Sequence, residues 1–490
     1  MGRDDTHTII TDLTVCYYYG TESSKSLEHN RQSWYRIQKN LYLHTAENSA
    51  FIHVAQAREE DLSAEQPVIT NVRIGKPQFE SSTWEERPAG LWIRRSKFVK
   101  GSNAYLTGVD ILFGSDAVDP RPKWTILDQS LQLEHAPPTT PSPRLTLRYG
   151  QPIPRSHHPV LRAREDGVGE CKDALGPDGQ ALPVHDADPH TVRLVGHILD
   201  IEQPDLVVFT GDQLHHDILD SQTALFKVVA PVIERSIPWA AIFGNHDSEG
   251  DFALSRTAQM ALYEELPFSL CEPGPEKVYG VGNSYIHVYP HKSSDVPMST
   301  IYLLDSHGQV NSDTQSPDYE AIQPSQIEWF RHISRESKEK QDTDSHRHHS
   351  YKSLVFIHIP FPEFADDDKL LRRGGQRREP TEGPSFNTHV YDALVEEGVT
   401  AVGCGHDHVN DFCALVKEAD GVARHVPWLC YNGGSGFGGY CSYGENRYHR
   451  RTRIWELHTE SKAVKTWKRV EYQDQRQDEL VLNMDGGAGT

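Results

Sequence analysis

Four short polar motifs each close an apolar run, and they constrain the fold more than any other feature of the sequence. Thr210-Gly-Asp212 follows Leu206–Phe209, and Gly244-Asn-His-Asp247 follows Ala240–Phe243. His358 ends Leu354-Val-Phe-Ile357, and Gly405-His-Asp-His408 follows Ala401–Cys404. Helical stretches at Pro189–Ile201 and Ser221–Arg235 separate strand candidates at Asp205–Thr210 and Pro238–Phe243. Further strand candidates are Thr300–Leu304, Ser353–His358, Val399–Gly403 and Pro427–Tyr431, with helical stretches at Pro324–Ser337 and Asn387–Glu397. This alternation predicts βαβ units around a largely buried sheet, an α/β core. Ligand sites of such sheets collect beyond the carboxyl ends of the strands, so the four motifs are expected to meet on one edge.

Singly, each motif has a plain structural reading. Gly-Asp after a strand is usually a turn, and a lone strand-end histidine is usually a satisfied one. GNHD fits turn chemistry, and GHDH fits a polar loop, although two histidines at i and i+2 invite a metal. Occurring in order, and all at strand ends, they make chance a poor explanation. One Asp, one Asn carbonyl and three His supply oxygen and nitrogen ligands suited to Mn, Fe or Zn rather than to Ca or Mg. A pair of such ions lowers the pKa of a bridging water and clamps both oxygens of an in-line phosphoryl displacement.

The series GD, GNHD, H, GHxH resembles the calcineurin-like metallophosphoesterase superfamily. The surrounding text (PDLVVFTGDQ, PWAAIFGNHDSEG, VFIHIPFPEF, GCGHDHVNDFC) is similar to its fungal branch. That branch includes the dosage-dependent cell-cycle regulator phosphatase and is related to plant proteins labelled purple acid phosphatases. The likeness is close over 165–460, and 8–145 look like the branch's N-terminal β domain. It implies a four-layer α/β/β/α sandwich with an N-terminal all-β domain, two divalent metal ions, and hydrolysis of phosphomonoesters, on phosphoproteins, by a metal-activated hydroxide. It further implies that Asp212 bridges the metals, that Asn245, His358 and His406 complete the ligand set of the second metal, and that His408 binds the first ion. His246 would hydrogen-bond phosphate and help protonate the leaving oxygen, and Asp247 would orient its neighbours.

The sequence departs from the family pattern in two places. The family opens with Asp-x-His at the end of the first core strand, but those positions fall near Leu161 and Ala163, which cannot bind a metal. The first metal then keeps only Asp212 and His408, so its site is incomplete. Three readings stay open: a non-catalytic pseudophosphatase serving as a binding or scaffold protein, replacement ligands from His157, His158 or Asp166, or a wrongly spliced stretch of translated sequence. The second departure is His215, three residues after Asp212, where purple acid phosphatases carry the Tyr that colours their iron. No purple enzyme is expected, and His215 and His216 read as solvent-facing loop histidines.

Outside this core, Thr8–Tyr18, Ala50–Val54, Pro67–Gly75, Gly90–Ile93 and Ala104–Phe113 read as short strands of a small antiparallel sandwich or barrel, with Trp34, Trp92 and Trp124 as core residues. The organisation expected is a β domain over 1–135, a Pro-rich linker and aberrant segment over 136–165, the metallophosphoesterase domain over 166–472 and an acidic, frayed tail over 473–490. Glu336–Lys352, with His346, His348 and His349, and Asp366–Pro384 read as surface loops.

A net charge of −21, from 49 Lys+Arg against 70 Asp+Glu, opposes nucleic-acid binding. No window reaches the roughly 18 apolar residues of a membrane helix, so no membrane contact is expected. The 7 cysteines form no CxxC pair and read as ordinary buried thiols. With no N-glycosylation sequon present, that favours a reducing compartment, and a cytoplasmic protein is the expectation.

Overall fold

The computed structural model describes residues 8–19, 34–77, 83–151, 170–171, 173–290, 294, 296–342, 352–417, 427–458, 461 and 463–482. The chain divides into two compact units, Met1–Val168 with Gln222–Ser236, and Gly169–Ser221 with Ile237–Thr490. Leu161, Ala163, His157, His158 and Asp166 lie outside the described residues, as do His346, His348 and His349.

Among the described residues the first unit holds three three-stranded antiparallel sheets. In the first, Thr8–Tyr18 pairs with Ser49–Arg58, setting Leu13 opposite Val54 and Val15 opposite Ile52. All four side chains are buried. This is the inward half of a period-2 pattern, and a register shift between Ile10 and Asp12 restores the alternation. Leu106–Phe113 pairs with Pro143–Tyr149, so a strand occupies part of the stretch expected to be linker. Leu145 and Leu147 alternate with Arg144, Thr146 and Arg148 there, a strand pattern that the flanking prolines obscured. Helix Ser221–Glu234 joins this unit through Gln222 Nε2 to Asp110 Oδ2 at 2.8 Å and Phe113 N to Thr223 Oγ1 at 3.1 Å. Trp34, Trp92 and Trp124 are half-buried rather than core. The guanidinium groups of Arg121 and Arg148 lie over the Trp124 ring, 3.8 and 5.2 Å from its centre.

The second unit is built on a seven-stranded sheet among its described residues. Its order is Ser284–Val288, Ser299–Leu303, Lys352–Phe356, Ala401–Cys404, Trp428–Tyr431, Cys413–Val416, Leu370–Gly374. The run from Ser299–Leu303 through Trp428–Tyr431 is parallel, and the flanking strands are antiparallel. Successive residues point to opposite faces, and both faces are covered. Tyr302, Val355, Val402 and Leu429 pack with Phe330 and Leu394 of helices Pro324–Asp342 and Val390–Glu396. Ile301, Leu354, Ala401 and Trp428 pack on the other side with Ala240, Ile242, Val464 and Leu482. Double coverage is why these strands read as unbroken apolar runs. The Val, Leu, Ile and Phe side chains among them each contribute about 1.5–3 kcal/mol on burial.

Facing that second side are the parallel pair Val207–Thr210 and Trp239–Ile242 and the antiparallel sheet Arg451–Leu457, Val464–Val470, Gln473–Leu482. Helix Ala187–Glu202 packs Leu194 and Ile198 against Phe437 and Ile454. Its Glu202 accepts the Trp467 indole N–H at 2.9 Å. The outcome is the expected four-layer α/β/β/α arrangement.

Several local expectations are corrected. The acidic segment after Tyr472 is not frayed up to Leu482 but forms a strand on Val464–Val470. Most of its side chains are exposed, so it lacks an apolar signature. Helix Pro324–Asp342 extends into the polar run expected to be loop. Within Asp366–Pro384, Leu370–Gly374 is an edge strand and Glu379 is buried. The cysteines are not all thiols, for Cys413 and Cys430 stand directly opposite on antiparallel strands, with Cα atoms 4.1 Å apart, and form a disulfide. Among the described residues no helix is long and apolar enough to cross a membrane.

Candidate metal centre

Each motif sits at the carboxyl end of a parallel strand, and the backbone ties the ends together. His358 Nδ1 lies 2.8 Å from the Thr210 carbonyl, which can only accept, so the ring donates there. That fixes the tautomer and turns Nε2 toward Asp212 Oδ2 at 3.2 Å and Asn245 Oδ1 at 3.3 Å. The His358 and Ile359 amides both donate to Ser306 Oγ, at 3.2 and 2.8 Å. Close approach here requires glycine. A Cβ on Gly211 would come 2.3 Å from His358 Nδ1, and one on Gly244 would come 2.1 Å from Asp212 Oδ1. Asp212 and His406 hold left-handed backbones, φ 53° and 69°, the kind of strain that surrounding structure must over-determine.

Asp212, His358 and His406 each present a ligand atom within 4.8 Å of the others. His406 stands edge-on to His358 with ring centres 5.2 Å apart, and its buried Nε2 has no hydrogen-bond partner among the described residues. His408 lies outside this cluster. Its ring stacks on Tyr440 at 4.2 Å and its Nδ1 donates to the Tyr440 carbonyl at 2.9 Å. Both His358 and His408 therefore spend Nδ1 on a backbone carbonyl, the arrangement by which metal-ligating histidines are oriented. An orphaned imidazole nitrogen, a carboxylate and an amide carbonyl converging on one space make a donor set that a divalent cation satisfies.

Electrostatics agree with that arrangement. Burial alone raises the Asp212 carboxyl, but the charge and hydrogen bond of His358, with His246 and His408, hold it well below the usual range. Burial and neighbouring His358 keep His406 far below the ordinary imidazole value, and burial pushes His408 down to about 4. Both are neutral near pH 7, the form that binds metal.

Asp247 is fully buried. Its carboxylate accepts the backbone N–H groups of Asp212, Leu214 and Gly244 at 2.9, 2.9 and 2.7 Å. His246 donates its backbone N–H to Asp212 Oδ1 at 2.9 Å, while its ring Nδ1 meets Glu249 Oε1.

The comparisons fall on these residues. The model for the calcineurin-like phosphoesterase family matches residues 184–410. The chain is 34% identical over 344 residues to Probable inactive purple acid phosphatase 14 of Arabidopsis thaliana, covering 64% of this chain and 82% of that protein. The chain belongs to the calcineurin-like phosphoesterase family. Phosphatase DCR2 of Saccharomyces cerevisiae is 33% identical over 404 residues, 75% of this chain, and the chain spans only 64% of its length. Probable inactive purple acid phosphatase 28 of Arabidopsis thaliana is 30% identical over 387 residues, 70% of this chain and 89% of its own.

Within this family member, some supporting residues carried no sequence signal. Arg256 bonds the Gly244 carbonyl at 2.7 Å, the His307 carbonyl at 2.6 Å and Asp305 Oδ1, clamping the loop that bears Asn245 and His246. Glu379 accepts the Val409 amide at 3.0 Å behind His408. His215 and His216 do not simply face solvent. Their rings lie 5.7 and 5.5 Å from His246, and His216 forms a second ligand-bearing group with His246 and Glu249.

Proposed function

We propose that this chain is a metal-dependent phosphatase that hydrolyses phosphomonoesters, with phosphoproteins as the substrate class. The observation that carries the reading is the convergence of His358 Nε2 on Asp212 Oδ2 and Asn245 Oδ1 beside the unpartnered His406 Nε2. Asp212, Asn245, His358 and His406 would hold one divalent ion, Mn, Fe or Zn by donor type, and Asp212 with His408 would serve a second. When bound, such ions lower the pKa of water and neutralise charge on the phosphoryl group. The protein's own part is orientation. Thr210 and Tyr440 carbonyls fix the tautomers of His358 and His408, and Asp247 fixes the loop amides around Asp212. His246 holds the proton that passes to the leaving oxygen, with Glu249 orienting its ring through Nδ1. Beside His406, whose ring is 4.7 Å from that of Tyr319, a cavity of about 480 Å³ lined by Tyr319, Pro324 and Phe386 gives room for the leaving side of a large substrate.

A pseudophosphatase is the second reading, favoured by Leu161 and Ala163 at the positions of the family's Asp-x-His. Turnover of an aryl phosphate by the purified chain, loaded with Mn, Fe or Zn, separates the two. Metal-dependent turnover abolished in His246→Ala supports the phosphatase, and its absence with every metal supports the pseudoenzyme.

A further inference from the structure

His216, His246 and Glu249 form a group that the metal cluster does not use. A ligand atom of each lies within 4.8 Å of the other two. One carboxylate oxygen, Glu249 Oε1, faces the Nδ1 of both imidazoles, meeting His246 and lying 3.8 Å from His216. The short 3-10 turn His246–Ser248 explains the first contact, because residues at i and i+3 eclipse on such a turn. His216 arrives from the loop after Asp212, its ring 5.5 Å from that of His246. His215 is not part of this group, and its Nδ1 pairs with Asp217 at 2.8 Å.

We infer that these three residues are a separate binding site for zinc or a similar borderline transition metal, open to solvent. Two imidazoles and one carboxylate are the protein ligands of an open zinc site, whereas Mg and Ca prefer all-oxygen shells. A His–Glu ion pair needs one imidazole; the second Nδ1 aimed at the same oxygen is the added feature, and a cation satisfies all three donors at once. Side-chain exposures of 52%, 34% and 34% for His216, His246 and Glu249 leave room for water to complete the shell. Occupancy has a consequence that rests on the phosphatase reading. A cation on His246 Nδ1 takes the place of the ring's second proton and leaves an Nε2–H that is a far weaker acid than imidazolium, so excess zinc slows proton donation to the leaving oxygen.

The test counts zinc directly. The metal-loaded protein, His216→Ala and Glu249→Gln are equilibrated with rising Zn²⁺ and the bound metal is measured by elemental analysis. Wild type is expected to hold one more zinc per chain than either variant. Equal zinc in all three overturns the site. In parallel, excess zinc is expected to slow aryl phosphate turnover by wild type by roughly 10²-fold or more, within the 10²–10⁴-fold range of a general acid's contribution. His216→Ala should keep its low-zinc rate throughout, and equal inhibition of that variant overturns the inhibitory role. Extra zinc in wild type without turnover in any protein upholds the site and defeats only the phosphatase reading.

Discussion

Asp247 Oδ2 accepts the backbone N–H of Asp212 at 2.9 Å, so the carboxylate three residues from Gly244 sets the position of the carboxylate proposed to bridge two metals. The same oxygen accepts from Gly244, and Oδ1 accepts from Leu214. Asp247→Ala would orphan three buried donors, at about 1–3 kcal/mol for each left unsatisfied. Denaturant unfolding should show a loss of roughly 3 kcal/mol or more, together with loss of bound metal. A variant of wild-type stability would mean these contacts contribute nothing.

Asp212→Asn tests the metal assignment without touching the backbone frame. Binding to the native state alone stabilises a protein, by about 2.7 kcal/mol at a hundredfold excess over Kd. Added Mn or Zn should therefore raise the Tm of wild type, and Asp212→Asn should lose most of that rise and the bound metal with it. An undiminished shift would place the metal elsewhere.

Asp411 gives a pH dependence that does not use the side chains of the metal cluster. Its buried carboxylate pairs with Arg378, Arg451 and Lys468 at 2.8, 2.7 and 2.8 Å. Burial raises its pKa, but the charges of Lys468, Arg451 and Arg378 outweigh that and hold it well below the usual range. Since the folded value lies under the unfolded one of about 3.9, the stabilisation is complete above that pH and is lost as pH falls toward the folded value. Asp411→Asn should cost about 3–5 kcal/mol near neutral pH, the price of breaking a buried pair. The gap to wild type should narrow below about pH 4, and a gap constant with pH would contradict this.

The Cys413–Cys430 disulfide closes a sequence separation of 17. A cross-link of that span stabilises by about 3 kcal/mol in the chain-entropy account. The double variant Cys413→Ala/Cys430→Ala should unfold at correspondingly lower denaturant. Thiol titration of unreduced, denatured wild type should find 5 free cysteines, and 7 would remove the bond from the structure.

What the sequence disclosed follows from burial. Strands such as Lys352–Phe356 are covered on both faces and so spell apolar runs, and the side chains of the metal cluster follow directly at their ends. What it concealed depends on long-range geometry. His216 reads as a loop residue until folding brings its ring beside His246. Arg256 and Glu379 support the site through partners that no local pattern announces. Cys413 and Cys430 meet only because of a strand register. Gln473–Leu482 is a strand whose exposure hides its periodicity.

The most direct test of the central claim is steady-state turnover of an aryl phosphate by the purified chain, titrated with Mn, Fe and Zn beside His246→Ala. The account predicts metal-dependent turnover in wild type and a loss of about 10²–10⁴-fold in the variant, the contribution of a positioned general acid. No turnover with any metal, or equal turnover in the variant, would contradict it.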